Sequence, residues 1–216
     1  MSSDQKKLTR RDFLRNTAAA GLGPALLPLS NMTKAHASAS SKVIDPMIVP
    51  TRPFGKTGVD VSILSLGGVL KSSDLLVFKQ AFKRGVTYWD TADSYGRGEN
   101  EKAIGKYFAK FPDDRKNVFL VTKAASSDPK KLTEKLNKSL QRMNTSYVDL
   151  YFIHWVKNVK KELTKEVKIW AEKAKSQGKI KLFGFSVHKN MENCMIDAAK
   201  LGWIDGIMMS YNYRLM

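Results

Sequence analysis

The feature that most constrains the fold is a rhythm along the chain. Six apolar, strand-like runs start near residues 63, 87, 118, 148, 181 and 206: ILSLGG, TYWDTA, VFLVTK, VDLYFIHW, KLFGFSVH and GIMMSYN. Each of the first five is followed by a helical pattern. Ile104, Tyr107, Phe108 and Phe111 form one apolar face before Pro112. Leu132, Leu136, Leu140 and Met143 form the next, after an Asp128-Pro129 start signal. Leu163, Val167, Trp170, Ala171 and Ala174 form a third, which Gln177-Gly178 stops. Strand, helix, strand at roughly 30-residue spacing is the mark of βαβ units and a parallel sheet. The near-continuous apolar character of the strands fits a sheet covered on both faces. A hairpin, RPFGKTG-VDVSIL, precedes them and turns at Lys56-Thr57-Gly58.

Two α/β architectures share this pattern. A doubly wound dinucleotide-binding sheet needs G-x-G-x-x-G between its first strand and helix, and Leu66-Gly67-Gly68-Val69-Leu70 does not supply it. A (β/α)8 barrel instead needs its chemistry at the C-terminal ends of strands. Asp90 ends the second run, Lys123 the third and His154 the fourth. Ser186 and His188 end the fifth, and Tyr211 and Asn212 the sixth, with Tyr95 in the loop leaving the second. Taken singly, these read as a helix cap, a solvated amine and a core histidine. Adjacent barrel strands bring Asp90, Lys123 and His154 to one mouth with Tyr95 above them, and that coincidence points to a site.

The chemistry such a set serves is proton donation to a carbonyl oxygen as hydride arrives. A free phenol has a pKa of ~10 and is a poor acid at neutral pH. A nearby ammonium favours the phenolate, so Lys123 is expected to lower the pKa of Tyr95. A buried lysine needs a counter-charge to stay protonated, which Asp90 provides. His154 is expected to donate a hydrogen bond to the carbonyl oxygen and orient the substrate.

These residues carry a resemblance to a known family. Asp90-Thr-Ala-Asp-Ser-Tyr95-Gly, Val121-Thr-Lys123, Ile153-His154-Trp155 and Gly184-Phe-Ser186 resemble, in order, the motifs of the aldo/keto reductases. Phe54-Gly55-Lys56-Thr57-Gly58 is similar to that family's opening hairpin. The resemblance implies a (β/α)8 barrel that binds NADP(H) in extended form, with Asp90, Tyr95, Lys123 and His154 as the catalytic tetrad. It further implies that Gly67, Gly68, Asp90 and Ser186 line the nicotinamide site, and that Trp155 lies in the pocket for a small carbonyl substrate. Val187 and Met208 stand where the family commonly has an Asn and a Gln. The other class of reading is a non-catalytic nucleotide-binding or sensor protein on the same barrel.

The N-terminus reads differently. Residues 1–37 combine Thr9-Arg10-Arg11-Asp12-Phe13-Leu14-Arg15, a weakly apolar run from Ala18 to Leu29, and Ala35-His36-Ala37 as a small-x-small cleavage pattern. The arginine pair resembles a twin-arginine signal, which implies a periplasmic destination and the export machinery as a partner. The apolar run is too short for the ~20 residues that span a bilayer, so no stable membrane insertion is expected. Residues 38–51 read as a linker, and residues 52–216 as a partial barrel. The chain carries 37 Lys and Arg against 20 Asp and Glu, a net charge of +17. The lysines are spread over helical faces, as in KKLTEKLNK, and no nucleic-acid-binding module is recognisable. The single cysteine, Cys194, excludes an intrachain disulfide and sits on an apolar helical face. Only six barrel strands are legible. The chain is therefore expected to be C-terminally incomplete, and residues 38–216 alone are expected not to form an active reductase.

Overall fold

The structure is a computed structural model that describes residues 48–68 and 74–212. Residues 1–37, read above as an export signal, lie outside the described residues. The hairpin forms from β1 (Thr51–Pro53) and β2 (Asp60–Ser62), paired antiparallel. Its turn contains Gly55 and Gly58, both in the left-handed region that favours glycine. Thr51 already belongs to β1 and the Val49 amide donates to the Arg84 carbonyl, so the fold begins a few residues before the expected boundary at 52.

Six parallel strands follow: β3 (Ser65–Gly67), β4 (Tyr88–Asp90), β5 (Phe119–Ala124), β6 (Val148–Ile153), β7 (Ile180–Val187) and β8 (Gly206–Met209). They lie side by side in sequence order, β3-β4-β5-β6-β7-β8. A doubly wound sheet reverses its strand order part-way, and this one does not. The sheet curls as the first six strands of a (β/α)8 barrel do. The crossovers are α1 (Leu75–Lys83), α2 (Glu99–Lys110), α3 (Pro129–Arg142), a short α4 (Val159–Glu162) with α5 (Lys165–Ser176), and α6 (Met191–Ala199). Side-chain caps start several of them. Asp74, Asp128 and Asn158 accept from the amides of Leu76, Lys131 and Lys161, and Pro129 fills the first position of α3.

One helical face read from the sequence is split. Leu163, at φ −105 and ψ +62, leaves helical geometry and ends α4, and Thr164 caps the start of α5. Glu162 accepts from the Lys157 and Asn158 amides and so caps the start of α4. Leu163 stays buried, so the face survives while the helix does not.

Alternation along the strands sorts side chains into two cores. Trp89, Leu120, Tyr151, Ile153, Phe183, Phe185 and Val187 face the helices and join their apolar stripes. Cys194 is buried in this outer core, as expected. Phe119, Val121, Leu150 and Phe152 point the other way, and Val61, Phe54 and Val59 of the hairpin pack against them. That second parity is the one that carries the site. Continuing it up each strand leads to Asp90, Lys123, His154 and Ser186.

Candidate active site

The register steps those residues up the sheet. Asp90 lies opposite Val121, two residues before Lys123, and Lys123 lies opposite Phe152, two before His154. Ile153 pairs with Phe185, which brings His154 beside Ser186. Ser186 pairs with Met208, so the inward parity places charged and polar groups just above an apolar floor. The ladder also continues past the strand ends. The Thr91 amide donates to Val121, Asp93 to Lys123 and His154 to Ala124, which fixes the backbone on which each side chain stands.

Lys123 is the centre of the site. It is 1% exposed, and its Nζ lies 2.7 Å from Asp90 Oδ2, 2.8 Å from the Thr91 carbonyl and 3.4 Å from Tyr95 Oη. An ammonium has three hydrogens and no lone pair, so these three acceptors use it completely. The phenol oxygen accepts from Lys123, which leaves the phenol's own hydrogen to be given elsewhere. Burial pushes the Lys123 ammonium down from its usual pKa, and Asp90 opposes the shift. Burial likewise pushes Asp90 up, opposed by Lys123.

The expected sharpening of Tyr95 is not what the free protein shows. Burial first, and then the Asp90 carboxylate, raise the Tyr95 pKa above its ordinary value. Burial is the larger cause, and the Asp90 carboxylate paired with Lys123 offsets the ammonium's pull on the phenol. Tyr95 is a protonated phenol at neutral pH, and it faces an ammonium that can receive its charge.

His154 stands edge-on to Tyr95 at 5.9 Å between ring centres and stacks on Trp155 at 4.0 Å. Its Nδ1 is buried without a hydrogen-bond partner. Burial, and then the Lys123 charge, push its pKa down from 6.5 to about 4, so the imidazole is neutral near pH 7 and can donate a hydrogen bond. The consequence for stability has a definite sign. Between 6.5 and about 4 the unfolded chain binds a proton that the folded one refuses, so stability is lost as pH falls through that window. The full shift corresponds to an upper bound on the order of 3–4 kcal/mol. Urea unfolding followed from neutral pH down to about pH 4.5 should show part of this loss, and His154→Gln should flatten it. An unchanged pH slope in His154→Gln would assign the effect to another group.

Trp155 is 47% exposed at the mouth and adopts φ +64, a region disfavoured for a bulky residue. The Ser186 hydroxyl, fully buried, accepts from the Trp155 amide at 3.1 Å and holds that turn. Trp155, Val156, Lys157, His188 and Lys189 line a cavity of about 250 Å³ beside it. Of the two glycines expected at the nicotinamide, Gly67 faces open space, whereas Gly68 is pressed against Asn100 and the Asp90 carbonyl. Gly68 donates its amide to that carbonyl at 2.7 Å, so it anchors the end of β4. Val187 packs in the outer core and Met208 in the inner one, away from any polar role. Tyr211 is 72% exposed.

Sequence reasoning overlooked a polar group behind this pocket. Glu101 is completely buried, and it accepts from Thr122 Oγ1 at 2.7 Å and from Arg142 Nη1 at 3.0 Å. Asp93, in the loop before Tyr95, takes Lys135 at 2.6 Å. The sequence signal available was Glu101 itself, an acid on the face that Ala103, Ile104 and Tyr107 bury. Among the described residues no group of three or more His, Cys, Asp or Glu could hold a metal ion, and no helix is long and apolar enough to cross a membrane.

Sequential parallel order with a charged, phenol-bearing mouth at the strand C-termini defines a β/α-barrel-type fold rather than a doubly wound sheet. The profile of the Aldo/keto reductase family matches residues 65–216, and the chain belongs to that family. It is 30% identical over 177 residues to the uncharacterized oxidoreductase YqkF of Bacillus subtilis, covering 74% of this chain and 56% of that one. It is 30% identical over 127 residues to the aldo-keto reductase yakc [NADP(+)] of Schizosaccharomyces pombe, covering 50% and 37%. Among solved structures, the holo form of aldo-keto reductase AKR11C1 from Bacillus halodurans superposes with a TM-score of 0.67 at 26% identity, over 76% of this chain and 58% of that one. The chain spans about half the length, or less, of the curated relatives it matches.

Proposed function

We propose that the protein reduces a small aldehyde or ketone to the alcohol with NADP(H). The observation that carries this reading is the Lys123 ammonium, which donates to Asp90, Thr91 and the Tyr95 oxygen and so leaves the phenol hydrogen free to be given to a carbonyl oxygen. As that proton leaves, charge develops on the Tyr95 oxygen 3.4 Å from Lys123 Nζ, where it is stabilised without reorganisation. Neutral His154 donates to the same carbonyl oxygen and sets its direction.

The residues present fit a nicotinamide. Ser186 keeps a hydroxyl hydrogen to donate, Gly67 leaves an open face beside β3, and Asp90 Oδ1 and His154 Nδ1 are buried polar atoms without partners at the mouth. When bound, the nicotinamide supplies the hydride. The choice of NADP(H) is supported by the Schizosaccharomyces pombe relative, an aldo-keto reductase whose name specifies NADP(+).

A second reading is favoured by Val187 and Met208, which offer no amide contact: a nucleotide-binding sensor that does not turn over. The test is to follow nicotinamide absorbance with a panel of aldehydes and ketones, alongside a fluorescence titration with NADPH. Turnover supports the reductase. Saturable binding without turnover supports the sensor, and neither result defeats both.

We also propose that the protein is exported through the twin-arginine route, on the strength of Arg10-Arg11 and the cleavage pattern after residue 34. Replacing both arginines by lysine keeps the charge and removes the paired guanidinium groups. The expected product is cytoplasmic and unprocessed. Processed protein in the periplasmic fraction would refute the route.

A further inference from the structure

Tyr95 sits on a turn that its own backbone does not favour. Gly96, Arg97 and Gly98 are successive left-handed residues, with φ of +59, +58 and +91. Such a run is uncommon, and for Arg97 it is disfavoured, so surrounding structure has to hold it. One side chain touches this segment on both sides of the phenol. Arg142, the last residue of α3, donates from Nη1 to the Asp93 carbonyl at 3.2 Å, two residues before Tyr95. Its guanidinium also lies against Gly98, three residues after Tyr95, where a Cβ would collide with it.

Arg142 is itself held. The same Nη1 donates to Glu101 Oε2 at 3.0 Å, and Glu101 Oε1 accepts from Thr122, the neighbour of Lys123 on β5. Gly105 of α2 packs directly on the Arg142 carbonyl, a contact that admits no side chain. Asp93 is tied from two further directions, by Lys135 at 2.6 Å and through its amide to the Lys123 carbonyl at 2.9 Å. The loop carrying the phenol and the strand carrying the ammonium are therefore fastened to one buried Glu101–Arg142 pair.

We infer that Arg142, braced by Glu101, is a positioning residue that fixes the Tyr95 phenol against Lys123 by clamping residues 93 and 98. The inference rests on Tyr95 being the proton donor. Arg142 touches none of the reacting groups and acts only through the loop. Lysine cannot replace it, because one flat guanidinium reaches carbonyl, carboxylate and glycine together, whereas an ammonium is a point donor.

The test compares the purified protein with Arg142→Lys by hydrogen–deuterium exchange, which needs no activity. Amides of residues 91–98 should lose protection while those of β6 and β7 keep theirs. The phenol titration assigned to Tyr95, taken as the parent minus Tyr95→Phe, should move down toward the ordinary ~10 as the ring leaves burial and Asp90. Carbonyl turnover should fall on the order of 10²-fold with dinucleotide affinity retained, the cost typical of a misplaced reacting group. Unchanged protection at 91–98, or an unchanged Tyr95 titration, would overturn the inference even if activity fell. If Arg142→Lys does not fold, Lys135→Met, at a side chain 37% exposed, must still loosen 91–98 in the same direction, and its failure to do so overturns the clamp. Absence of turnover in the parent would bear on the reductase reading alone, while the exchange and titration results would still decide this one.

Discussion

Tyr95→Phe is expected to lower carbonyl turnover by 10²–10⁴-fold, the range typical of losing a general acid, while nicotinamide-dinucleotide affinity stays near that of the parent. The phenol hydrogen is engaged in the transition state, where the carbonyl oxygen takes the proton, so its loss appears in kcat. The ring is retained, and with it the edge contact to His154 at 5.9 Å. Lys123 loses one acceptor at 3.4 Å and keeps the two shorter ones, so the pair beneath the phenol survives. Single-turnover measurements with bound dinucleotide separate this loss from slower binding. Equal turnover in variant and parent would remove Tyr95 from the proton-donating role and leave the site without an evident acid.

What the sequence disclosed about this site follows from the period of a strand. Side chains alternate with a period of two, so a charged residue ending an apolar run announces its own face. Asp90, Lys123, His154 and Ser186 were therefore legible, and the sheet places them on one parity at the C-terminal ends of adjacent strands. The order of strands was legible too, because sequential βαβ units leave few arrangements. Other features depend on what is brought together from afar. Arg142 meets Glu101 across 41 positions and Lys135 meets Asp93 across 42, and no local pattern marks such partners. The direction of the Tyr95 pKa was missed for a related reason. The sequence names the ammonium beside the phenol, but burial is a property of everything packed around it, and burial contributes the larger effect. The break at Leu163 escaped notice because helical periodicity continues across it, while the change of backbone direction at Leu163, φ −105 and ψ +62, leaves no mark on the apolar pattern.

The largest effect on stability is expected from Lys123→Met. The variant removes the cation paired with Asp90 and leaves a carboxylate that is already short of partners, since Asp90 Oδ1 has none among the described residues. It also strands the Thr91 carbonyl, which accepts from Lys123 at 2.8 Å. Breaking a buried ion pair from one side typically costs about 3–5 kcal/mol, a large part of the stability of an ordinary domain. The dependence on pH gives the loss a signature. Without the ammonium, only burial acts on Asp90 and raises its pKa further, and a group with a raised folded pKa confers stability below its unfolded pKa that is lost as pH rises. The gap between variant and parent should therefore narrow as pH falls toward the ordinary carboxylate range of ~3.9. Adding Asp90→Asn to Lys123→Met removes the stranded charge, so the double variant should be more stable than the single one at neutral pH. Urea midpoints for the parent, the single and the double variant, each at neutral pH and at about pH 5, make the comparison. A double variant no more stable than Lys123→Met, together with a gap that does not change with pH, would mean that Asp90 is not held as a carboxylate by Lys123, and that the charge balance beneath Tyr95 has another source.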